Sequence, residues 1–140
     1  MDCSKLTTLR DLYTECTERY ADNISFSYID GEFYTYRQFR DKVDHLSSLL
    51  SQYGITLGDK IALLSQNMPN WSVAYFSTVA FGRVCVPLLP DFSPAEIERI
   101  IEHSESKAIF ISKKLSYKVS EEILRSLELV IEIDTFSVLH

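Results

Sequence analysis

The stretch Leu63–Pro90 limits the fold of this chain more than any other part of the sequence. Its sequence is LLSQNMPNWSVAYFSTVAFGRVCVPLLP, in which two apolar strand-like runs flank a segment that is apolar on every side and ends at Gly82. A helix without a polar face has to be covered all round by other parts of the protein. The stretch therefore predicts a crossover helix that packs on a sheet, with the amphipathic helices of the first half of the chain as its cover.

The same alternation of strands and helices continues to residue 134. Continuous apolar runs, which are typical of strands buried on both faces, alternate with helical patterns. The predicted strands are KIALLS (60–65), VCVPLL (84–89, stopped by Pro87 and Pro90), AIFIS (108–112) and LVIEI (129–133), and the predicted helices span 67–82, the SPAE segment from Ser93 onward, and 119–127. This order predicts an α/β fold: a doubly wound, Rossmann-like parallel sheet with right-handed crossovers.

The pattern of residues 1–57 predicts one layer made of a helix, a β-hairpin and a second helix. The predicted βα units span residues 58–134. Thr7 and Thr8 are both suitable caps for the first helix. The dipeptide Asp30-Gly31 follows an alternating apolar run and predicts a two-residue hairpin turn. At 140 residues the whole chain has the size of one domain.

Capping motifs mark the starts of two helices. Thr35 and Gln38 form a capping box before the second helix, and Gly54 is well placed to end that helix. Ser93 and Glu96 have the same spacing at the start of the SPAE helix. Both helices are therefore predicted with defined first turns.

The charge and composition disfavour several classes of protein. The formal net charge is −6 and the sequence pI is near 5.0, whereas nucleic-acid-binding proteins cluster Lys and Arg against the phosphates. No run approaches the ~18 apolar residues of a transmembrane helix. Charged residues also interrupt the N-terminus where a signal peptide has its apolar core. We therefore expect a cytoplasmic protein with no transmembrane segment and no nucleic-acid partner.

The three cysteines, Cys3, Cys16 and Cys85, predict neither a disulfide framework nor a zinc site, because their number is odd and their spacing is wide. Cys85 lies inside an apolar strand pattern, where a cysteine usually behaves as a small buried hydrophobic residue. Nothing nearby in the sequence would lower the pKa of its thiol. We favour a packing role for Cys85 over a nucleophilic one.

Ligands of open parallel sheets bind beyond the carboxyl ends of the strands. In this chain those places are the segments SQNMPN, LLPDFS and ISKKLS. A phosphate-binding loop needs glycines so that backbone N–H groups can approach the anion, but the four glycines form neither GxGxxG nor GxxxxGK[ST]. The chain has no recognisable nucleotide-binding loop of its own.

The ionisable residues give equally weak signals. The histidines at 45, 103 and 140 lack the spacing of ligands. A solvated helical face explains the acidic residues of the SPAE helix, which are Glu96, Glu98, Glu102 and Glu105. The pair Glu121-Glu122 is typical of a helix N-terminus. Ser112–Lys114 follows a strand and could contact an anion, although a solvated turn is the favoured interpretation. We predict no catalytic, cofactor-binding or metal-binding residue in this chain.

Asn67, Pro69 and Trp71 support two interpretations. In the favoured one, Asn67 caps the helix, Pro69 fits its first turn and Trp71 packs its ring over the sheet. In the alternative, Asn67 follows the carboxyl end of a strand and lines a ligand-binding crevice. The sequence leaves both open.

The ordered series of motifs resembles the N-terminal region of the adenylate-forming enzymes: acyl-CoA synthetases, peptide-synthetase adenylation domains and luciferases. The segment GDKIALLSQNMPNWSVAYFSTVAFGRVCVPLLPDFSPAEIERIIEHSESKAIFIS carries most of the resemblance. Upstream, TLRDLYTECTERYADNISFSYIDGEFYTYRQF is similar to the family's opening helix, hairpin and T-Y-x-x-F helix. The family positions are occupied by Gly58-Asp59, Asn67, Trp71, Gly82, Val84 and Pro87.

Within that family, the segment LLPDFSPAEIERIIEHSESKAIFIS most resembles long-chain fatty acyl-CoA synthetases. Two positions depart from the family pattern. Asn70 stands where an acid often precedes the tryptophan, and Arg83 stands where alanine is usual after the glycine. We expect both departures to affect local packing and neither to remove a catalytic group.

The resemblance implies that residues 1–140 are the N-terminal portion of the large domain of an ATP-dependent ligase. Such an enzyme activates a carboxylate with Mg-ATP and transfers the acyl group to coenzyme A. The family's phosphate loop, adenine-binding and ribose-binding residues and C-terminal lysine lie downstream of the matched region, so we expect this chain alone to be inactive. Its expected partners are the remainder of the synthetase and a fatty acid.

Other interpretations stay open. The chain could belong to another adenylate-forming enzyme, or it could be a self-standing module that binds an acyl chain or a partner protein. Homo-oligomerisation is a third alternative, because an incomplete sheet leaves apolar surface uncovered.

Overall fold

The structure is a computed structural model that describes residues 6–29 and 31–140. Cys3 and Asp30, on which two of the predictions depend, lie outside the described residues. The helices are α1 (Leu9–Arg19), α2 (Tyr36–Gln52), α3 (Pro69–Val79), α4 (Pro94–Ser104) and α5 (Glu121–Ser126), with a 3₁₀ helix over Lys113–Lys118. The strands are β1 (Ile24–Ser27), β2 (Phe33–Thr35), β3 (Lys60–Leu64), β4 (Val84–Leu88), β5 (Ala108–Ile111), β6 (Leu129–Glu132) and β7 (Ser137–Val138).

The central sheet has five strands in the order β4-β3-β5-β6-β7. The first four are parallel, with Ile61 opposite both Cys85 and Ala108, and Ala108 opposite Leu129. This confirms the predicted α/β fold with a parallel sheet and crossover helices. The short strand β7 was not predicted; it pairs antiparallel with β6 after a turn in which Phe136 has a φ of 58°.

Each central strand divides its side chains between two cores. From β3, Ile61 and Leu63 enter the core under α1, α2 and α3, whereas Ala62 and Leu64 enter the core under α4 and α5. All four are at most 1% exposed. Strands buried on both faces explain why the sequence shows continuous apolar runs rather than alternation.

Strand β4 corrects one prediction. VCVPLL was expected to be buried on both faces, but β4 forms the edge of the sheet, and Val84 and Leu89 are 45% and 59% exposed. Pro87 was expected to stop the strand, yet it pairs with Leu63 inside it. Proline is tolerated on an edge strand where its missing N–H would point away from the neighbouring strand.

The predicted capping boxes are present. Thr35 and Ser93 each accept a hydrogen bond from the N–H three residues later, and Gln38 and Glu96 bond back to them. Thr8, not Thr7, is the N-cap of α1. Gly54 ends α2 with a φ of 79°, as expected of a left-handed C-terminal residue.

The remaining boundaries differ from prediction by a few residues. In the hairpin, the Tyr28 N–H donates to the Glu32 carbonyl at 3.0 Å, while the predicted Asp30-Gly31 turn includes a residue outside the described ones and stays a prediction. The predicted helix 67–82 is shorter in the structure, where α3 starts at Pro69. The helix predicted from Val119 begins after Ser120, which caps α5.

Helix α3 is covered on every side, as the sequence predicted. None of the residues from Pro69 to Val79 is exposed. Tyr13 of α1 helps to close the outer side: its ring stacks on Phe76 at 6.0 Å and its hydroxyl donates to Asp44 of α2 at 2.7 Å. Burial raises the pKa of the Tyr13 phenol, so the hydroxyl stays protonated as a donor. The first two helices therefore form the cover over α3.

Arg83 holds α2 and α3 together from the inside. The residue is 7% exposed, and Nε donates to the Ile55 carbonyl at 3.0 Å. One Nη donates to the Ser47 hydroxyl and the Ser77 carbonyl, and the other to the Ser47 carbonyl and the Ser51 hydroxyl. No carboxylate takes part in these bonds. Burial removes the guanidinium from water and so lowers its pKa. The expectation that this departure from the family pattern affects packing is confirmed.

Replacing Arg83 by methionine should destabilise the chain by about 2–4 kcal/mol. The volume is kept, but buried carbonyl and hydroxyl groups lose their donors. Urea unfolding followed by circular dichroism measures the effect. Arg99→Met is the matched control, because Arg99 is exposed on α4, and it should change stability by less than about 0.5 kcal/mol. Equal midpoints for the two variants would contradict this account of Arg83.

Candidate functional site

An open groove lies at the carboxyl end of β3, between the hairpin and the start of α3. Its volume is about 610 Å³. The lining residues are Phe26, Ser27, Tyr28, Ile29, Asn67, Met68, Pro69, Trp71 and Ser72. The groove is mostly apolar with a few hydroxyl and amide groups, which is the composition of many small-molecule sites. It lies at one of the three places that the sequence predicted for ligands.

The structure contradicts the favoured interpretation of Asn67, which was a cap of α3. Asn67 is exposed and lines the groove, and it does not cap α3. The N-cap is Met68, whose backbone is extended and whose side chain makes no capping hydrogen bond. Pro69 occupies the first turn, as predicted. The helix start therefore relies on proline rather than on a polar cap, which leaves the Asn67 amide facing the groove.

Trp71 has the packing role that the sequence predicted, together with a place in the groove that was not predicted for it. Its ring is half-buried against the core under α2 and α3, and it also lines the groove. The indole stacks on Tyr75 one turn later, with centroids 5.2 Å apart and planes 13° apart. This stacking fixes a large flat apolar surface at the groove wall.

Asn70 has a role that the sequence did not reveal. The side chain is 6% exposed, and Nδ2 donates to the carbonyls of Ile133 at 2.8 Å and Asp134 at 3.1 Å. Helix α3 is thereby joined to the chain that leaves β6, which lies two strands away from β3. A sequence pattern could not show this contact, because its acceptors are backbone groups 63 and 64 residues away.

Three buried polar atoms at this edge of the sheet have no hydrogen-bond partner among the described residues. They are Oε1 of Gln66, Oδ1 of Asn70 and Oγ of Ser112. Gln66 lies two residues after β3, and Ser112 directly follows β5, the neighbouring strand. Unsatisfied polar atoms are rare in buried positions, and they mark this edge as the polar part of the sheet.

The other two predicted ligand places are held by internal contacts. In LLPDFS, the Lys118 ammonium donates to the carbonyls of Pro90 and Phe92. In ISKKLS, the Lys113 N–H donates to Asp134 at 2.8 Å, and the lysine side chains of 113 and 114 are exposed in the 3₁₀ helix. The solvated-turn interpretation therefore holds for Lys113 and Lys114, whereas Ser112 is buried.

The ionisable residues are dispersed. His45 lies on α2, His103 in the last turn of α4 and His140 after β7. Glu96 bonds back to the cap of α4, Ser93, whose hydroxyl and N–H lower the pKa of its carboxyl. Glu98 accepts from the Ser120 N–H, while Glu102 and Glu105 are exposed. Within residues 6–29 and 31–140, no cluster of His, Cys, Asp and Glu could hold a metal ion.

Cys85 and the glycines likewise offer no reactive group or anion cradle. Burial raises the pKa of the Cys85 thiol to about 12, which disfavours a thiolate. Gly54, Gly58 and Gly82 have positive φ values, but each lies before a strand or after a helix at the opposite, amino edge of the sheet. The carboxyl edge therefore lacks the glycine backbone that a phosphate loop requires.

The geometry defines a parallel α/β sheet with an apolar groove at its carboxyl edge and no phosphate-binding loop in the described part of the chain. A family model described as "AMP-binding enzyme" matches residues 13–139. The chain therefore belongs to the AMP-binding enzyme family, as the sequence resemblance indicated.

Individual relatives place the chain within a small part of much longer proteins. It is 27% identical over 117 residues to a long-chain-fatty-acid–CoA ligase of Escherichia coli O157:H7, covering 83% of this chain and 21% of that protein. It is 34% identical over 111 residues to 4-hydroxybutyrate–CoA ligase 2 of Metallosphaera sedula, covering 79% of this chain and 20% of that protein. The chain thus spans about a fifth of the length of these relatives.

A solved structure supports the fold. The anthranilate CoA ligase AuaEII, crystallised in complex with anthranoyl-AMP, superposes with a TM-score of 0.82 at 20% identity, covering 97% of this chain and 27% of that one. The match confirms the adenylate-forming architecture for the described region. No helix among the described residues is long and apolar enough to cross a membrane.

Replacing Asn70 by aspartate should destabilise the chain by about 2–3 kcal/mol at pH 7, because a carboxylate would face the Ile133 and Asp134 carbonyls without a donor. Burial beside these acceptors raises the folded-state pKa of the introduced carboxyl above its unfolded value of about 3.9. The protonated form can donate, so part of the stability should return as the pH falls from 7 to 4.

Denaturant unfolding at a series of pH values measures this effect. Asn67→Asp is the matched control, since Asn67 is exposed, and it should show neither the loss at pH 7 nor the recovery at low pH relative to the unsubstituted chain. A loss for Asn70→Asp that did not depend on pH would argue against the two carbonyl contacts.

Proposed function

We propose that this chain works as the N-terminal portion of an ATP-dependent acyl-CoA ligase. In the proposed reaction, a carboxylate attacks the α-phosphate of ATP to give an acyl-adenylate and pyrophosphate, and the thiol of coenzyme A then displaces AMP. The observation that carries the proposal is the family match over residues 13–139, combined with a carboxyl edge that has a groove but no phosphate loop.

ATP, Mg²⁺ and coenzyme A would be bound mainly by other parts of that ligase. The described residues do not fit a phosphate or a metal ion, because the carboxyl edge offers no glycine turn and no cluster of carboxylates. What this chain contributes is a preformed wall that includes the Trp71 ring, which stacks on Tyr75 behind it, and the Asn67 side chain. The Asn70 contacts join the first turn of α3 to the end of β6.

A long-chain fatty acid is the proposed substrate of the whole enzyme. The support is the match to the E. coli ligase, together with the apolar lining that Phe26, Met68 and Trp71 give to the groove. The match to a 4-hydroxybutyrate–CoA ligase makes a short hydroxy acid the competing substrate. A cytoplasmic location stays a prediction.

The native product in the source cells should be several times larger than the 16.1 kDa of this chain. An antibody raised against the chain and used on a denaturing gel measures this. The larger product should catalyse fatty-acid-dependent ATP–pyrophosphate exchange, and the 140-residue chain alone should not exceed the background rate. Exchange by the purified chain well above background would overturn the proposed division of labour, and a native band at 16.1 kDa would overturn the proposal that it is part of a larger ligase.

A self-standing acyl-binding module is the second candidate, and the groove beside Trp71 is the observation that favours it. Trp71 is the single tryptophan of the chain, so its emission reports on the groove without background from other indoles. Under our main proposal, micromolar palmitate should cause no saturable change in that emission. A saturable change that Ser27→Glu in the groove lining abolishes and Tyr117→Phe leaves intact would support the module instead.

A further inference from the structure

A partly closed cavity lies between α1, α2, α3 and β1. Its volume is about 170 Å³, and its lining side chains come from these four elements. Among the described residues, Phe26 is the only one that lines both this cavity and the groove at the carboxyl end of β3. The cavity is therefore a second concave site, with walls of its own.

Small side chains on α1 leave this space open. Tyr13, Cys16 and Thr17 are spaced by three and four residues, so they share the inward face of the helix. The Tyr13 ring reaches the aromatic side chains beneath it, and it stacks on Phe76. Cys16 and Thr17 have short side chains, which line the cavity instead of filling it.

Aromatic rings form most of the opposite wall, with Phe39 at its centre. The Phe39 ring lies 5.1 Å from Phe26, 5.8 Å from Phe76 and 6.1 Å from Tyr13, measured between centroids. The planes meet at angles of 56°, 84° and 72°, in tilted and edge-to-face arrangements that aromatic pairs prefer. These mutual contacts fix the wall before any molecule enters the cavity.

The hydroxyl groups in the lining are already bonded within the chain. The Tyr13 hydroxyl donates to Asp44 at 2.7 Å, and the Thr17 hydroxyl donates to the Tyr13 carbonyl at 2.8 Å. Within residues 6–29 and 31–140, the buried side-chain polar atoms without a partner belong to other residues, at the carboxyl edge of the sheet. A buried water needs about two to four polar partners, so these walls suit an apolar molecule better than water.

We propose that this cavity binds a small neutral aromatic hydrocarbon of about the size of benzene or toluene. An apolar cavity of about 150 Å³ lined by aliphatic and phenylalanine side chains takes up benzene, and the cavity of this chain has about 170 Å³. The tilted rings offer both faces and edges to an aromatic guest. This inference does not rest on the proposed function, because the cavity lies in the cover over α3 and not at the carboxyl edge.

Methyl-detected NMR with benzene as the probe tests the site. The native product is the protein to use, at whatever length it proves to have, labelled at its leucine and methionine methyl groups. Benzene should bind with a Kd on the order of 1 mM and show nuclear Overhauser contacts to the Leu12 methyl groups in the cavity lining. Met68, which lines the groove, is the reference methyl group. Saturable binding with contacts to Met68 and none to Leu12, or no saturable binding at all, would overturn the proposal.

Pyridine tests the apolar character of the cavity. It has the shape of benzene but carries one ring nitrogen that accepts a hydrogen bond in water. The bonded hydroxyls of Tyr13 and Thr17 offer that nitrogen no donor, so the Kd of neutral pyridine should be at least about 10-fold higher than that of benzene. Equal affinity for the two molecules would overturn the assignment to a hydrocarbon.

A matched pair of substitutions locates the binding. Cys16→Phe places a ring in the cavity and should raise the Kd for benzene at least about 10-fold. Ser27→Glu is the control, because Ser27 is exposed and lines the groove, and it should leave that Kd unchanged. The opposite pattern would assign benzene to the groove and overturn the proposal. The contacts to Leu12 in the unsubstituted protein decide the question if Cys16→Phe fails to fold.

Discussion

The rest of the structure depends on the burial of β3 from both faces and along both edges. Its odd-numbered and even-numbered side chains enter different cores, and β4 and β5 pair on either side of it. A strand in this position requires helices above and below the sheet. On one side the requirement is met by α3 with α1 and α2 outside it, and on the other by α4, the 3₁₀ helix and α5.

Local signals in the sequence predicted most of the fold. The capping boxes of α2 and α4 and the apolar runs of β3, β5 and β6 are encoded within a few residues, so they could be recognised directly. The position of β4 could not, because an apolar run does not show whether a strand has one neighbour or two. Strand β7 was too short to give a pattern.

The candidate site was only partly predictable. The carboxyl end of β3 was identified from topology, and Asn67 and Trp71 were singled out there with both interpretations open. The hydrogen bonds of the Asn70 and Arg83 side chains could not be predicted, because most of their acceptors are backbone carbonyls distant in sequence. Carbonyl groups carry no residue identity, and so a sequence pattern cannot show that they accept these bonds.

The Arg83 contacts also have a consequence for folding specificity. The guanidinium reaches acceptors at Ser47, Ser51, Ile55 and Ser77, which come from the two helices and the turn after α2. If α2 docked on α3 one helical turn out of place, a permanently charged group would be buried without these acceptors, and such an arrangement is strongly unfavourable. A purely apolar contact would tolerate such sliding. The buried guanidinium therefore favours one register of α2 against α3 over the others that hydrophobic contact alone would allow.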